Sequence, residues 1–177
     1  YHLSIRLLNL NHEIIGVDNI NNYYDISLKK EKLTILKKNK KFFFSKLDIS
    51  NFNLLNNLIK RKKIKYIVNL AAQAGVRYSI SNPKPYFDSN ILGFFNILES
   101  SRQNNVKHLI FASTSSVYGN NKNFPLKEDY NTDNPLTFYA ASKKSNEVFA
   151  HSYANIYALP STCLRFFTVY GPFGRPD

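Results

Sequence analysis

Five short runs rich in β-branched and aromatic residues punctuate the chain: HEIIGVD (12–18), FFFSKLD (42–48), YIVNLAA (66–72), HLIFAST (108–114) and STCLRFF (161–167). The intervals between them are long enough to hold a helix each, and that alternation predicts βαβ units and a parallel sheet. The runs lack strict polar alternation, which suits strands covered on both faces. Helices are expected near 27–39, 51–61, 86–104 and 138–157, and the opening YHLSIRLLNLN reads as a helix already under way. Two long loops, 73–85 and 115–137, follow strand C-terminal ends, where open α/β sheets bind their ligands. No repeat, linker or low-complexity tract divides the chain, so the expectation is one α/β domain with a doubly wound parallel sheet.

Composition narrows the function classes. A length of 177 residues with 44% hydrophobic side chains can bury a sizeable core. The single cysteine, Cys163, lies in an apolar run; it excludes an intramolecular disulfide or a multi-cysteine metal site and reads as a buried small hydrophobe in a cytoplasmic protein. No metal is expected. The net charge of +12 invites a phosphate-binding reading. Between Lys29 and Lys65 the only acidic residues are Glu31 and Asp48, yet the basic residues there fall on stretches that read as solvated helices and their ends. No nucleic-acid partner is therefore expected. No apolar run approaches the ~20 residues that cross a bilayer, so no membrane association is expected either.

Two features carry chemistry. Tyr139 and Lys143, in FYAASKK (138–144), stand four apart in a predicted helix, which stacks them on one face and brings an ammonium near a phenol. With 12 tyrosines in a lysine-rich chain the spacing also arises by chance: Tyr118 and Lys122 repeat it, across Gly119, Asn120 and Asn121, a turn composition. Asp18 ends the first strand-like run. An acidic residue there accepts hydrogen bonds from the adenosine ribose of a dinucleotide and disfavours a 2′-phosphate, selecting NAD over NADP; it reads equally as a loop aspartate before Asn19.

The segments GVDNINNYYD, NLAAQAGVRYSI, SNILGFFNILE, STSSVYG, YAASKK and LRFFTVYGPFGRPD stand in one order and spacing across the whole chain. Together they resemble the extended short-chain dehydrogenase/reductase family, and within it most the UDP-glucuronate 4-epimerases. The resemblance implies a Rossmann-type sheet and puts Tyr139, not Tyr118, at the catalytic position. It implies that Tyr139 is the acid/base, that Lys143 holds the nicotinamide ribose and favours the phenolate, and that Thr114 hydrogen-bonds the reacting sugar hydroxyl. A free phenol titrates near ~10, above the working pH of a good base, so a close cation is what such a site needs.

The same resemblance implies an NAD site formed by Asp18, Asn19, Asp48, Ile49, Leu70, Ala71, Ala72, Gln73, Asn90, Phe166 and Val169 with Tyr139 and Lys143. It implies a UDP-sugar site at Arg77, Ser79, Ser115, Ser116, Thr168 and Arg175, where an arginine fork suits a hexuronate carboxylate or a phosphate. The implied reaction interconverts UDP-glucuronate and UDP-galacturonate through a 4-keto sugar. A UDP-glucose or UDP-N-acetylglucosamine 4-epimerase is the near alternative. A dehydratase or decarboxylase on the same scaffold would carry acidic residues where Ser115 and Ser116 stand. The family opens with a strand and a glycine-rich pyrophosphate loop and closes with a smaller substrate domain. Residues 1–177 are therefore expected to be a partial NAD-binding domain of a longer enzyme, inactive alone, that dimerises through the helices near 86–104 and 138–157.

Overall fold

A computed structural model describes residues 1–174, which divide into two compact units, Tyr1–Asp48 with the residues that follow Thr168, and Ile49–Thr168. The first unit holds α1 (His2–Asn9), β1 (Ile14–Asp18), α2 (Ile26–Lys37) and β2 (Phe42–Lys46). β1 and β2 pair in parallel from Ile14 opposite Phe42 to Asp18 opposite Lys46. Leu8, Leu36 and Phe42 form its buried core, with Ile5, Ile14, Leu33 and Phe44 packed around them. α2 starts where Asp25 accepts the Ser27 N–H at 2.7 Å, which satisfies one of the helix's otherwise orphaned donors.

The second unit runs α3 (Phe52–Lys62), β3 (Tyr66–Asn69), α4 (Tyr78–Ser81), α5 (Lys84–Tyr86), a π-helical turn (Phe87–Leu92), α6 (Gly93–Gln103), β4 (His108–Thr114), a 3-10 turn (Ser115–Tyr118), α7 (Phe138–Tyr157) and β5 (Ser161–Phe166). Its strands lie in the order β3-β4-β5, all parallel, with Asn69 opposite Phe111 and Thr114 opposite Phe166. Helices α3, α6 and α7 bury Leu55, Leu58, Ile59, Phe94, Ile97, Leu98 and Ala150 together with Leu109 and Phe111 of β4. The Phe94 and Phe111 rings stand 4.9 Å apart at their centroids. Every strand pairing is parallel, as the alternating pattern requires.

Four details depart from the sequence expectations. β3 stops at Asn69, so Leu70, Ala71 and Ala72 are not strand. The expected 86–104 helix contains the π turn, where one extra residue per turn re-aims the side chains, before Gly93 restores α geometry. Coverage on both faces holds for neither edge strand of the second unit: Tyr66 and Val68 of β3 and Leu164 and Phe166 of β5 are exposed. Cys163 is likewise only half-buried rather than a core residue. Among the described residues no helix is long and apolar enough to cross a membrane.

Candidate active site

β4 delivers Thr114 to the C-terminal edge of its sheet, where the chain turns at once into the 3-10 segment. Thr114 Oγ1 caps that turn, accepting the Ser116 N–H at 3.2 Å and donating to Ser116 Oγ at 3.2 Å. Thr114 is buried, while Ser115 and Ser116 are half-buried. α7 packs against both β4 and this turn. Thr137 starts α7 by accepting the Ala140 N–H at 3.2 Å, and the small Ala140 and Ser142, each 1% exposed, let the helix approach closely.

On α7, Tyr139 and Lys143 share a face one turn apart. Tyr139 is half-buried, and its ring meets that of Tyr86 edge to face at 6.1 Å. Lys143 is 2% exposed. Burial pushes its ammonium down to about 8, against opposition from Cys163 and Glu147. The rival pair has no such setting: Tyr118 ends a 3-10 turn, and Gly119 after it takes a positive φ of 58°.

Behind Tyr139 lies a buried polar network that starts in the π turn. Asn90 Oδ1 accepts the Gln73 N–H at 2.8 Å, and its Nδ2 donates to the Gln73 carbonyl at 3.1 Å and to Ser142 Oγ at 2.9 Å. Ser142 Oγ donates to the Tyr139 carbonyl at 2.8 Å. With its amide nitrogen toward them, Asn146 donates to the carbonyls of Asn90 (2.7 Å) and Ser142 (3.1 Å). The next stretch is pinned as firmly: the Tyr86 hydroxyl donates to the carbonyls of Ala74 (2.9 Å) and Gly75, and Ser79 Oγ donates to the Val76 carbonyl at 2.6 Å.

The other expected site residues fall into separate groups. Leu70, Ala71 and Ala72 are exposed at the end of β3, and Arg77 is exposed at the start of α4. Ser79 is 1% exposed, with its hydroxyl engaged as above. Ile49 is buried, and a Cβ on Gly93 would stand 2.7 Å from its Cγ1. Phe166 and Thr168 are exposed, Phe166 on the wall of a cavity of about 440 Å3 that also borders Tyr118, Glu147, Cys163 and Arg165. In the first unit, Asp18 Oδ1 accepts the Ile20 N–H at 2.6 Å and lies 3.6 Å from Lys29 Nζ. Asn19 Nδ2 donates to Asp48 Oδ2 at 2.8 Å, and Val169 is exposed. Arg175 lies outside the described residues.

Sequence reasoning missed Tyr86, Ser142, Asn146, Glu147 and Arg165. A signal existed for some of them. Asn90, Asn96 and Asn146 interrupt helical patterns with a poor helix former, which is tolerated when the side chain satisfies buried backbone groups. Asn96 does so too, donating to the carbonyls of Ile49 and Ser50, each at 2.9 Å. Glu147 continues the Tyr139–Lys143 spacing by one more turn.

Comparison with known proteins places this geometry. The model of the NAD dependent epimerase/dehydratase family matches residues 1–177. Protein CapI of Staphylococcus aureus is 53% identical over 176 residues, covering 99% of this chain and 52% of that protein. A probable UDP-glucuronate 4-epimerase of Rhizobium meliloti is 45% identical over 177 residues, covering 100% of this chain and 52% of that protein. The crystal structure of UDP-glucuronic acid 4-epimerase from Bacillus cereus in complex with UDP-glucuronic acid and NAD superposes with a TM-score of 0.91 at 35% identity, covering 99% of this chain and 55% of that one. The chain thus spans about half the length of the curated relatives it matches.

Proposed function

The chain belongs to the NAD-dependent epimerase/dehydratase family, and from that premise we propose that it carries the proton-transfer and cofactor-facing residues of an NAD-dependent UDP-sugar 4-epimerase acting on UDP-glucuronate and UDP-galacturonate. One observation supports this reading above the others. Tyr139 and a buried Lys143 share one face of α7, and α7 packs against the strand and turn that carry Thr114.

The residues present fit NAD. At the end of β3, Leu70, Ala71 and Ala72 are exposed and two of them are small, so a ligand can approach the backbone, while Asn90 holds Gln73 in place. In the first unit, Asp18 is only half-buried, so its carboxylate keeps acceptor capacity for ribose hydroxyls. Asp18, Asn19, Asp48, Asn90, Phe166 and Val169 would contribute to holding the cofactor. When bound, NAD would supply the hydride acceptor and donor for C4 of the sugar.

The chain's own groups handle the proton. Tyr139, as phenolate, accepts the proton of the C4 hydroxyl and gives it back after the sugar has turned over. The Lys143 ammonium one turn away stabilises that phenolate and holds the ribose hydroxyls. Thr114 orients the C4 hydroxyl, with Ser115 and Ser116 beside it and Arg77 and Thr168 toward the nucleotide or the uronate carboxylate.

A homodimer through α6 and α7 is part of the same reading, supported by the exposed Phe95, Val148 and Ile156 on these helices. We place the protein in the cytoplasm, in line with its lone cysteine. The deciding experiment incubates the protein, as its gene encodes it, with UDP-glucuronate and NAD and follows UDP-galacturonate by anion-exchange chromatography. Accumulation to a fixed ratio from either side is the expected result. Absence of any conversion would overturn the proposal.

A further inference from the structure

Glu147 lies on α7 at a crossing of three elements. Its Oε1 accepts from Ser113 Oγ of β4 at 2.5 Å and from Arg165 Nε of β5 at 3.1 Å, and its Oε2 accepts from Arg165 Nη2 at 2.9 Å. Ser113 and Arg165 are register partners on neighbouring strands, so the carboxylate closes a three-element junction. Arg165 reaches further, donating through Nη1 to the Tyr118 hydroxyl (3.2 Å) and the Glu128 carbonyl (2.9 Å), with its guanidinium 5.0 Å from the centre of the Tyr118 ring. The glutamate and arginine side chains are 11% and 19% exposed.

A largely buried ion pair of this kind adds little net stability, because desolvation offsets the attraction. Its placement is more informative. Ser113 immediately precedes Thr114, and Glu147 follows Tyr139 and Lys143 at one-turn intervals on a single helical face. The junction therefore joins the two elements that must keep register for a proton to pass between a hydroxyl held by Thr114 and the Tyr139 oxygen. Lys143, 2% exposed, also needs an anion nearby to remain charged. The charged or titratable groups facing this region are Cys163 and Arg165 on β5, Tyr118 on the 3-10 turn, and Tyr139, Lys143, Lys144 and Glu147 on α7 itself. The Cys163 thiol, pushed up to about 12 by burial and then by Glu147, is neutral in the working range and supplies no charge. Burial pushes the Glu147 carboxyl up, but its hydrogen bonds with Arg165 and Ser113 outweigh that and hold it below the usual range. Glu147 is thus the ionised carboxylate of the group.

We propose that Glu147, locked by Arg165 and Ser113, is a positioning residue for the epimerase reaction: it holds the Thr114 end of β4 in register with the Tyr139–Lys143 face of α7 and is the counter-ion of Lys143. The proposal rests on the functional reading above and is tested in the NAD-loaded protein as its gene encodes it. Glu147→Gln keeps the shape and acceptor oxygen but removes the charge; Ser113→Ala removes one tie and leaves the charge. Displacements of about 1 Å in a reacting pair cost up to about 100-fold, so both variants should lose about 10- to 100-fold in kcat, with KM for UDP-glucuronate within about twofold. The titration of Lys143 separates the two roles. Its midpoint, read from the 13Cε resonance of labelled lysine and assigned by its loss in Lys143→Arg, should fall by about one pH unit in Glu147→Gln and stay in place in Ser113→Ala. A folded Glu147→Gln with unchanged kcat and unchanged midpoint overturns the proposal. If Glu147→Gln does not fold, an unchanged kcat in Ser113→Ala overturns it. The titration needs no substrate, so a wild-type protein that leaves UDP-glucuronate untouched defeats the functional reading while the midpoint still decides this one.

Discussion

Asn90 and Gln73 are hydrogen-bonded twice, the Gln73 N–H donating to Asn90 Oδ1 at 2.8 Å and Asn90 Nδ2 donating to the Gln73 carbonyl at 3.1 Å. One amide side chain thereby does for an irregular stretch what a neighbouring strand does for a sheet. The π turn makes it possible by directing Asn90 at the chain leaving β3 while Nδ2 still reaches Ser142 on α7. Replacing Asn90 by Leu leaves the Gln73 amide and carbonyl buried without these partners. A loss of about 2 kcal/mol or more is expected, at about 1 to 3 kcal/mol for each buried unsatisfied group. Urea unfolding measures it, and a variant as stable as wild type would mean that the stretch finds other partners.

Tyr139→Phe removes the hydroxyl proposed as the proton acceptor and keeps the ring against Tyr86. Turnover of UDP-glucuronate should fall about 10²- to 10⁴-fold with the melting temperature nearly unchanged. Lys122→Ala, in the look-alike pair, should leave turnover as it is. Steady-state kinetics on both variants separates the two tyrosines.

Lys143 is held well below an ordinary lysine, at about 8 against 10.5, by burial. The folded state therefore binds fewer protons than the unfolded chain between those values, so wild-type stability rises with pH across that window. Below about pH 8 the full cost of the buried ammonium is present, and above about 10.5 it is gone. Lys143→Met removes that cost. It should stabilise the protein at pH 7 by about 3 kcal/mol, at about 1.4 kcal/mol per pH unit, while abolishing turnover. The gain should shrink steadily from pH 8 to 10.5 in chemical-denaturation curves; a constant gain would assign the effect to packing alone.

Gly119 has a φ of 58°, and a Cβ there would fall onto the Asn134 carbonyl oxygen. Gly119→Ala must move one of two backbone segments of the loop after β4. The expected cost is about 1 to 3 kcal/mol, read as a lower melting temperature. An unchanged melting temperature would show that the loop yields freely.

The alternation of apolar runs and helical stretches determined the parallel α/β plan, because period and length are local properties of a chain and parallel strands need crossovers of helical length. The Tyr139–Lys143 face was legible for the same reason, since helical spacing is written in residue number. The irregular parts were not. Nothing local to Asn90 says that its amide closes on Ser142, and nothing local to Glu147 says that it faces Ser113 and Arg165. Those partners are separated by up to 52 residues and meet only once β4, β5 and α7 have packed. Burial of Lys143 belongs to the same class, because an ammonium loses its water only when the neighbouring elements close over it. Sequence thus determined which groups share one helical face, and tertiary packing decided how they are held and how they are charged.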